Sequence, residues 1–312
     1  MDPAELTERL RAGDTRALAR AITLVESGHR AAGAVLKAFR GGKKSKVVGL
    51  TGSPGSGKST LTDRLIEEAR KRGEQVAVLA VDPSSPFTGG AILGDRIRMM
   101  RHHQDAGVYI RSLASRGALG GLAGAAVGAL ALLEAFGFER IFVETVGVGQ
   151  SEVDIARVAD TTVLVLTPAS GDAVQAFKAG VMEIADLFVV NKFDLPGGER
   201  VVQELKTTLE IAPARPGGWK PPVLSVVATK GDGVAGLFEG LEAHHAHLIK
   251  HNLLEAHRLE RARFQVESVI QEWGRRRTLA GKDLVALVAA GELTPEEAAG
   301  RLLEQTAHEP GF

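Results

Sequence analysis

The hydrophobic pattern divides the chain into three regions. Residues 4–40 carry leucine, isoleucine, valine and alanine at helical spacing, which predicts two helices separated at Gly13-Asp14. From residue 46 onward, short apolar runs alternate with helical patterns. Beyond about residue 231 the spacing is helical again, with amphipathic stretches at 234–276, 282–290 and 295–307. The pattern predicts an N-terminal helical extension (1–42), a central α/β domain (43–250) and a C-terminal helical arm (251–312).

The apolar runs of the central region read as buried strands. They lie at residues 47–50, 75–81, 108–113, 140–146, 161–167, 187–191 and 222–228. Strands that alternate with helices favour a mostly parallel sheet, because the crossover helices come to cover both of its faces. The predicted fold class is therefore α/β.

Composition excludes several classes of function. Lys plus Arg equals Asp plus Glu at 38 each, so the net charge calls for neither nucleic acid nor an anionic membrane as a partner. Cysteine is absent, which excludes disulfides, thiolate metal sites and cysteine nucleophiles. The acidic N-terminus is unlike a signal or transit peptide, and the Ala- and Gly-rich run 118–133 favours a buried helix over a membrane span. We expect a cytoplasmic protein.

Residues 52–59, GSPGSGKS, match the phosphate loop G-x-x-x-x-G-K-[ST] at every fixed position. A buried strand precedes the match and a helical pattern follows it, which is the context that this motif requires. Glycines let backbone N–H groups surround a phosphate, Lys58 adds a positive charge, and the Ser59 hydroxyl can ligate Mg²⁺. The predicted phosphate-binding residues are Gly55, Ser56, Gly57, Lys58, Ser59 and Thr60. Together these features predict the P-loop NTPase fold.

A second motif predicts which base is bound. Residues 191–194, NKFD, follow the apolar run 187–191 at a strand's carboxyl end. There Asp194 can accept both guanine N1–H and N2–H, a pair of bonds that adenine cannot make. Lys192 can lie along the base, and Asn191 can tie this loop to the phosphate loop. The predicted ligands are thus GTP and GDP, with Mg²⁺.

Acidic residues at two other strand ends predict the metal site. Glu144 ends a buried strand just before Gly147, whose N–H can reach the γ-phosphate, and Asp82 and Asp95 follow the second strand. We predict Asp82, Asp95 and Glu144 as both catalytic and metal-site residues, Lys58 as a further catalytic residue and Ser59 as a further metal ligand. Asp82 could instead be a turn former and Asp95 a helix N-cap. Val148 follows Gly147, where a water-orienting glutamine is often found, so unaided hydrolysis should be slow.

Two further segments have open interpretations. His244, His247 and His251 share one helical face, and a solvated helix face is favoured over a metal site because no carboxylate at ligand spacing completes the set. Residues 168–178, PASGDAVQAFK, carry Asp172, Gln175 and Lys178 among small residues. This segment is either an ordinary capped helix or a further switch loop, which would change its contacts with both the nucleotide and the partner.

These motifs resemble one family, the methylmalonyl-CoA mutase-associated GTPases of the MeaB/ArgK type, in the SIMIBI class of P-loop GTPases. The resemblance lies in GSPGSGKST (52–60), VDPSSPFTGGAILGDRIRM (81–99), SLASRGALGGLA (112–123), ETVGVGQSE (144–152) and NKFD (191–194). It implies a homodimer with the C-terminal arm as the dimerisation element. It also implies a G-protein chaperone that couples GTP hydrolysis to loading and protecting the cofactor of an adenosylcobalamin-dependent mutase. The last guanine loop departs from the family, with Val227-Ala228 in place of Ser-Ala, although Ala228 can still offer its N–H to guanine O6.

Three other functions remain open from the sequence. The older naming of the family implies a nucleotide-dependent kinase that supports amino-acid transport. A nickel metallochaperone GTPase belongs to the same structural class, but it would need Cys or His ligands near the phosphate loop, and no His lies between residues 30 and 101. A scaffold that binds GTP without turnover would be distinguished by a phosphate-release assay.

Overall fold

The fold is built on one parallel sheet at the centre of the chain. The computed structural model describes residues 2–41, 44–82, 100–102, 104–114, 124–145, 151–168 and 181–304. In this part of the chain seven strands pair in the order β3-β2-β4-β1-β5-β6-β7, and every pair is parallel. The strands are β1 Lys46–Thr51, β2 Val76–Asp82, β3 Val108–Ala114, β4 Arg140–Thr145, β5 Thr161–Leu166, β6 Leu187–Asn191 and β7 Val223–Val226. The predicted strands are confirmed, with ends that differ by at most two residues.

Helices connect and flank these strands. In chain order they are α1 Pro3–Arg11, α2 Thr15–Glu26, α3 Ala31–Ala38, α4 Lys58–Lys71, α5 Gly124–Phe136, α6 Ser151–Val158, α7 Val181–Ile184, α8 Gly198–Ile211, α9 Val234–Lys250, α10 Leu254–Ala280, α11 Lys282–Ala289 and α12 Pro295–Glu304. Among the described residues no helix is both long and apolar enough to cross a membrane.

The apolar core lies on both faces of the sheet, as the sequence predicts. Alternate strand residues point to opposite faces, so Val47 packs with α1, α2, α3 and α5, whereas Val48 packs with α4 and α9. A third cluster joins β5 and β6 to α7 and α8. Gly128 of α5 lies against α2 so closely that an added Cβ would be 2.5 Å from Val25 Cγ1, which is the close helix approach expected for this glycine-rich run.

The predicted pair of N-terminal helices is wrong, because the structure has three. The second helix ends at Glu26 and the next begins at Ala31. Gly28 has a φ of +63°, which takes the chain out of the helix, and His29 Nδ1 accepts the backbone N–H of Ala31 at the start of α3. Periodicity alone does not reveal this break.

The amphipathic helical stretch predicted over 234–276 is interrupted once. It is divided between α9, which ends at Lys250, and α10, which begins at Leu254. Asn252 adopts a φ of +56°, the left-handed conformation that asparagine tolerates better than most residues, and this turn separates the two helices.

The chain forms two compact units. Residues 1–264 make up the first, which contains the whole sheet, α1 to α9 and the start of α10. Arg261 of α10 belongs to this unit because it donates to Asp160 Oδ1, just before β5, and to Glu134 Oε1 of α5. Residues 265–312 form the second unit, in which α11 and α12 pack together and Thr294 and Glu297 form a capping box. This division lies fourteen residues beyond the predicted boundary at 250, and the functional assignment of the three regions stays a prediction.

Candidate functional site

The phosphate loop follows β1, a central strand of the sheet. Two of its glycines are required by close contacts. Gly57, which precedes α4, has a φ of +91°, and an added Cβ would overlap Asn191 Nδ2. Gly52 has a φ of +137°, and an added Cβ would overlap the carbonyl oxygen of Val165 on β5. A side chain at either position would therefore deform the loop.

Lys58 and Ser56 provide polar groups inside this loop. The Lys58 side chain is buried, and its Nζ donates to the carbonyl oxygens of Gly52 at 2.6 Å and Ser53 at 2.9 Å. Ser56 Oγ is buried and has no hydrogen-bond partner among the described residues. An ammonium held over glycine-rich backbone and a hydroxyl without a partner fit a bound phosphate.

Three buried side chains place oxygen atoms at the end of β4. Ser59 Oγ donates to Glu144 Oε1 at 2.6 Å, and Thr62 Oγ1 lies 3.1 Å from Glu144 Oε2 and 3.0 Å from the Lys58 carbonyl oxygen. A hydroxyl and a carboxylate in contact are ligands suited to Mg²⁺, which prefers oxygen. Asp82 lies at the same edge, since the neighbouring pair Val81 and Thr145 stand side by side in β2 and β4. The described residues thus fit a magnesium site.

Asn191 joins the phosphate loop to the loop after β7. Its side chain is buried, Nδ2 donates to the Ser56 carbonyl oxygen at 2.8 Å, and Oδ1 accepts the backbone N–H of Ala228 at 3.1 Å. This is the tie predicted from the sequence, although the Ala228 N–H expected to reach guanine O6 is donated to Asn191 here. Lys192 adopts a φ of +55°, an uncommon conformation that is found most often where function constrains the backbone.

The Asp194 carboxylate forms an ion pair at the same edge of the sheet. Lys230 Nζ lies 3.2 Å from Asp194 Oδ2, and the two side chains are 60% and 41% exposed. Guanine N1–H and N2–H would approach this carboxylate, so Lys230 would have to share or give up the contact. An ion pair so exposed is weak, and it allows that exchange at little cost.

Arg64 of α4 contacts the loop that follows β7, residues 227–233, which we call the base loop. Its Nε donates to the Ala228 carbonyl oxygen at 3.1 Å and its Nη2 to the Thr229 carbonyl oxygen at 2.8 Å, while Nη1 pairs with Glu67. The planar guanidinium therefore holds two consecutive peptide groups of this loop.

Comparison with known proteins identifies the family. The family model described as methylmalonyl-CoA mutase-associated GTPase MeaB matches residues 18–282. The chain belongs to this family. Membership of a GTPase family implies that the chain binds guanine nucleotide.

Relatives of this MeaB-family chain match over most of its length. A Pyrococcus horikoshii protein named as a GTPase is 47% identical over 96% of this chain and 97% of its own. The Escherichia coli GTPase ArgK is 38% identical over 88% of this chain and 83% of its own. The mouse protein named methylmalonic aciduria type A homolog, mitochondrial, is 34% identical over 83% of this chain and 67% of its own.

A solved structure confirms the P-loop architecture of the MeaB-family chain. The crystal structure of a LAO/AO transport system kinase superposes with a TM-score of 0.73 at 28% sequence identity. The match covers 98% of this chain and 97% of that one, so the helical regions at both ends are included.

The structure brings together most of the residues predicted from MeaB-type motifs. Gly55, Ser56, Gly57, Lys58, Ser59, Thr60 and Glu144 meet at one edge of the sheet, and Asn191, Lys192, Asp194 and Ala228 form the base loops beside them. Asp95, Gly147 and the segment 169–178 lie outside the described residues, as does the side chain of Asp82. Their roles stay predictions.

The sequence motifs did not predict Thr62 and Arg64 as part of the site. Thr62 lies three residues after Ser59, so helical spacing places both hydroxyls on the same side of α4, and this signal could have found it. No sequence signal connects Arg64 with Ala228, because the two are far apart in the chain and meet only through tertiary packing.

Asp63 is another missed residue, and it connects α4 to residues 100–102. Arg101 and His102 both contact the Asp63 carboxylate, with His102 Nε2 2.8 Å from Oδ1. Burial would raise the pKa of Asp63, but the hydrogen bonds from His102 and Arg101 outweigh it and hold the pKa below its ordinary value. An ionised Asp63 therefore holds residues 100–102, which follow the predicted metal-site residues Asp82 and Asp95 in the chain.

Proposed function

We propose that the chain hydrolyses GTP as a G-protein chaperone of an adenosylcobalamin-dependent acyl-CoA mutase of the methylmalonyl-CoA mutase type. In this role it would assist loading and protection of the mutase's cofactor. The observation that carries the proposal is the buried Asn191 side chain, which joins the phosphate loop to the base loop. The MeaB family description supplies the mutase as partner.

Lys58, Ser59 and Glu144 would carry the chemistry. Mg²⁺, when bound at Ser59 with the acidic residues Glu144, Asp82 and Asp95 around it, would neutralise negative charge on the β- and γ-phosphate oxygens. Lys58 would turn its ammonium from the loop carbonyl oxygens to the phosphates and stabilise the charge that develops during transfer. Water attacks the γ-phosphorus, the bond to the β–γ bridging oxygen breaks, and GDP and phosphate leave.

Hydrolysis is expected to depend on the partner. Val148 replaces the glutamine that would orient the attacking water, so the chain alone should turn over slowly. A mutase that completes the site needs to supply only about 1.4 kcal/mol for each tenfold acceleration. A slow switch with a stimulating client fits a chaperone better than it fits a metabolic enzyme.

Base selection tests the nucleotide assignment. Asp194→Asn removes half of the acceptor pair for guanine and provides a donor for xanthine O2. We expect GTP affinity to fall about tenfold and xanthosine triphosphate to become the better ligand, since a charged hydrogen bond contributes roughly 1.5–3 kcal/mol. Competition binding against ATP, GTP and xanthosine triphosphate measures this. A wild-type chain that prefers ATP contradicts the proposal.

Adding the partner tests the chaperone role. GTP turnover would be measured with and without a purified adenosylcobalamin-dependent mutase, and complex formation compared with GTP and GDP bound. We expect stimulated turnover and nucleotide-dependent association. Equal turnover together with no association would leave a GTPase without this client.

The name of the similar solved structure favours a second candidate, a nucleotide-dependent kinase linked to transport. A kinase transfers the γ-phosphoryl group to an acceptor, whereas a GTPase transfers it to water. Release of GDP and inorganic phosphate in equal amounts, with no acceptor present, would exclude the kinase.

A further inference from the structure

A cavity of about 230 Å³ lies at the amino ends of the parallel strands, whereas the phosphate loop lies at their carboxyl ends. Thr162 and Asp186, which line it, stand at the amino ends of β5 and β6, whereas the phosphate loop follows the carboxyl end of β1. Further walls come from α7, from α9 and from the segment that contains Arg215 and Trp219. The nucleotide chemistry described above uses none of these residues.

Asp186 and His244 form a polar pair in this cavity. Thr162 N–H donates to Asp186 Oδ2 at 2.8 Å, and Thr161 Oγ1 lies 2.8 Å from His244 Nδ1. These contacts fix one side of each group. The remaining atoms, Asp186 Oδ1 and His244 Nε2, are 3.5 Å apart, which is longer than an ordinary hydrogen bond. Both atoms can therefore accept a further partner.

The pair presents one donor and one acceptor. Burial raises the pKa of Asp186 to about 7 and lowers the pKa of His244 to about 3, so the imidazole is neutral near pH 7 and the carboxyl is close to half-protonated. When Asp186 is ionised, a proton on His244 Nε2 makes the imidazole the donor. When Asp186 is protonated, the carboxyl is the donor and Nε2 the acceptor. A ligand that carries a donor beside an acceptor matches both arrangements.

Flat rings line the same cavity. The Trp219 ring centroid lies 4.8 Å from that of His244 and 5.1 Å from that of His247. Trp219 Nε1 donates to the Asp186 carbonyl oxygen at 2.9 Å, which fixes the indole. Arg215 donates to the carbonyl oxygens of Met182 and Glu183, so its guanidinium is held at the end of α7. Such aromatic walls favour a planar ring.

We propose that this cavity binds a small planar heterocycle with an amino group next to a ring nitrogen, the edge found in aminopyrimidines. The amino N–H would donate to one atom of the Asp186–His244 pair, and the ring nitrogen would accept from the other. The described residues hold no group of three metal-ligating side chains, which disfavours a metal ion as the occupant. The proposal does not rest on GTP hydrolysis, because the two sites lie at opposite edges of the sheet.

The test uses three probes on the full chain saturated with GDP, so that the nucleotide site is filled. 2-Aminopyrimidine would be titrated while the indole N–H signal of Trp219 is followed by NMR, with a Trp219→Phe variant to assign it. We expect a saturable shift. Pyrimidine lacks the amino group and aniline lacks the ring nitrogen, so each should bind about three- to tenfold more weakly.

A pair of variants checks the polar contact. His244→Phe keeps a ring against Trp219 but removes the nitrogen, and we expect it to bind the three probes equally. His29→Gln changes a histidine outside the cavity and should behave as wild type. Equal binding of all three probes by the wild type, or no saturable shift, would overturn the proposal. Because the probe comparison uses the unmodified chain, it holds even if His244→Phe fails to fold.

Discussion

Arg64 stabilises the base loop, which lacks a serine hydroxyl of its own. Val227 stands where the family resemblance implies a serine, so the hydroxyl of that serine is missing from this loop. In the structure the Arg64 guanidinium donates to two successive carbonyl oxygens, of Ala228 and Thr229. The loop is thus held from α4 as well as by Asn191.

Replacing Arg64 should weaken recognition of the base much more than recognition of the phosphates. We expect Arg64→Met to lower GDP affinity about tenfold, because two charged hydrogen bonds from a side chain that is only 28% exposed are lost. Pyrophosphate affinity should fall by a much smaller factor, because the Lys58 contacts of the phosphate loop are kept. Glu67→Gln removes the negative charge that pairs with Nη1 and leaves the two loop contacts, so it is the matched control. Stopped-flow measurement of GDP release shows whether GDP is bound more weakly. A loss of pyrophosphate affinity as large as the loss of GDP affinity would show that α4 itself is damaged.

The residues that belong to short sequence motifs could be predicted from the sequence. Lys58, Ser59 and Asn191 are found where their motifs place them, since each follows a strand end that parallel pairing brings to one edge. Arg64 could not be found in this way, because its partner is distant in the chain. For His244 the environment predicted from the sequence is wrong. We predicted a solvated helix face, but His244 is 2% exposed and packs against Trp219.

Asp186 gives a prediction for stability against pH. Burial raises its pKa from 3.8 to about 7, so between these values the folded state keeps a proton that the unfolded chain has lost. The free energy of unfolding should therefore fall as pH rises from about 4 to 7, by an amount on the order of 3–4 kcal/mol. Asp186→Asn should lack this fall.

Subtracting the Asp186→Asn curve from the wild-type curve isolates this carboxyl. Its neighbour acts in the other direction: burial lowers the pKa of His244 from 6.5 to about 3, so its contribution rises with pH in that window. Urea unfolding at several pH values measures both curves. Parallel curves for the two proteins would mean that Asp186 titrates as it does in water.

At the scale of elements, α4 connects the parts of the nucleotide site. Within one helical turn and a half, Ser59 and Thr62 contact Glu144 on β4, Asp63 holds residues 100–102, and Arg64 holds the base loop. A rigid helix keeps these contacts in fixed relation. A shift of α4 would therefore reach the metal, switch and base regions together.

Thr62 offers a test of this helix. Thr62→Val keeps the shape but removes the hydroxyl beside Glu144 Oε2, so the carboxylate is less well oriented for Mg²⁺. We expect the Mg²⁺ concentration for half-maximal GDP retention to rise about three- to tenfold. Thr62→Ser, which keeps the hydroxyl, is the control and should behave as wild type. An unchanged Mg²⁺ requirement in Thr62→Val would limit Thr62 to a bond with the Lys58 carbonyl oxygen.

Element boundaries were harder to predict than element types. The strands follow from apolar runs that are buried on both faces, so their positions were clear. The breaks at Gly28 and Asn252 depend on a left-handed residue, and hydrophobic spacing continues across such a turn. Each break therefore lies within a stretch whose hydrophobic spacing is helical throughout.

At the scale of the whole molecule, the exposed face of α10 suggests how two chains associate. Val266, Val269 and Ile270 share one side of the helix and are 59%, 58% and 60% exposed. We infer that this face is covered in a homodimer, as expected for the C-terminal arm. Three large aliphatic side chains in water would otherwise lose the free energy that burial provides.

Ile270→Glu should give monomers. Two copies of the isoleucine contact are lost, each worth about 1.5–3 kcal/mol, so association should weaken by at least about a hundredfold. Gln271→Glu adds the same charge beside the apolar face and is the matched control. Light scattering over a range of concentrations measures the mass of each. Wild type that stays monomeric at every concentration would contradict the dimer.

The contact between Gly57 and Asn191 has a thermodynamic consequence. Because the phosphate loop leaves room only for the Asn191 amide, and this amide also holds the Ala228 peptide, neither half of the nucleotide site can rearrange alone. Guanosine and pyrophosphate, offered as separate molecules, should thus bind with positive cooperativity, each lowering the ordering cost for the other. The site would recognise a whole nucleotide more tightly than the sum of its fragments.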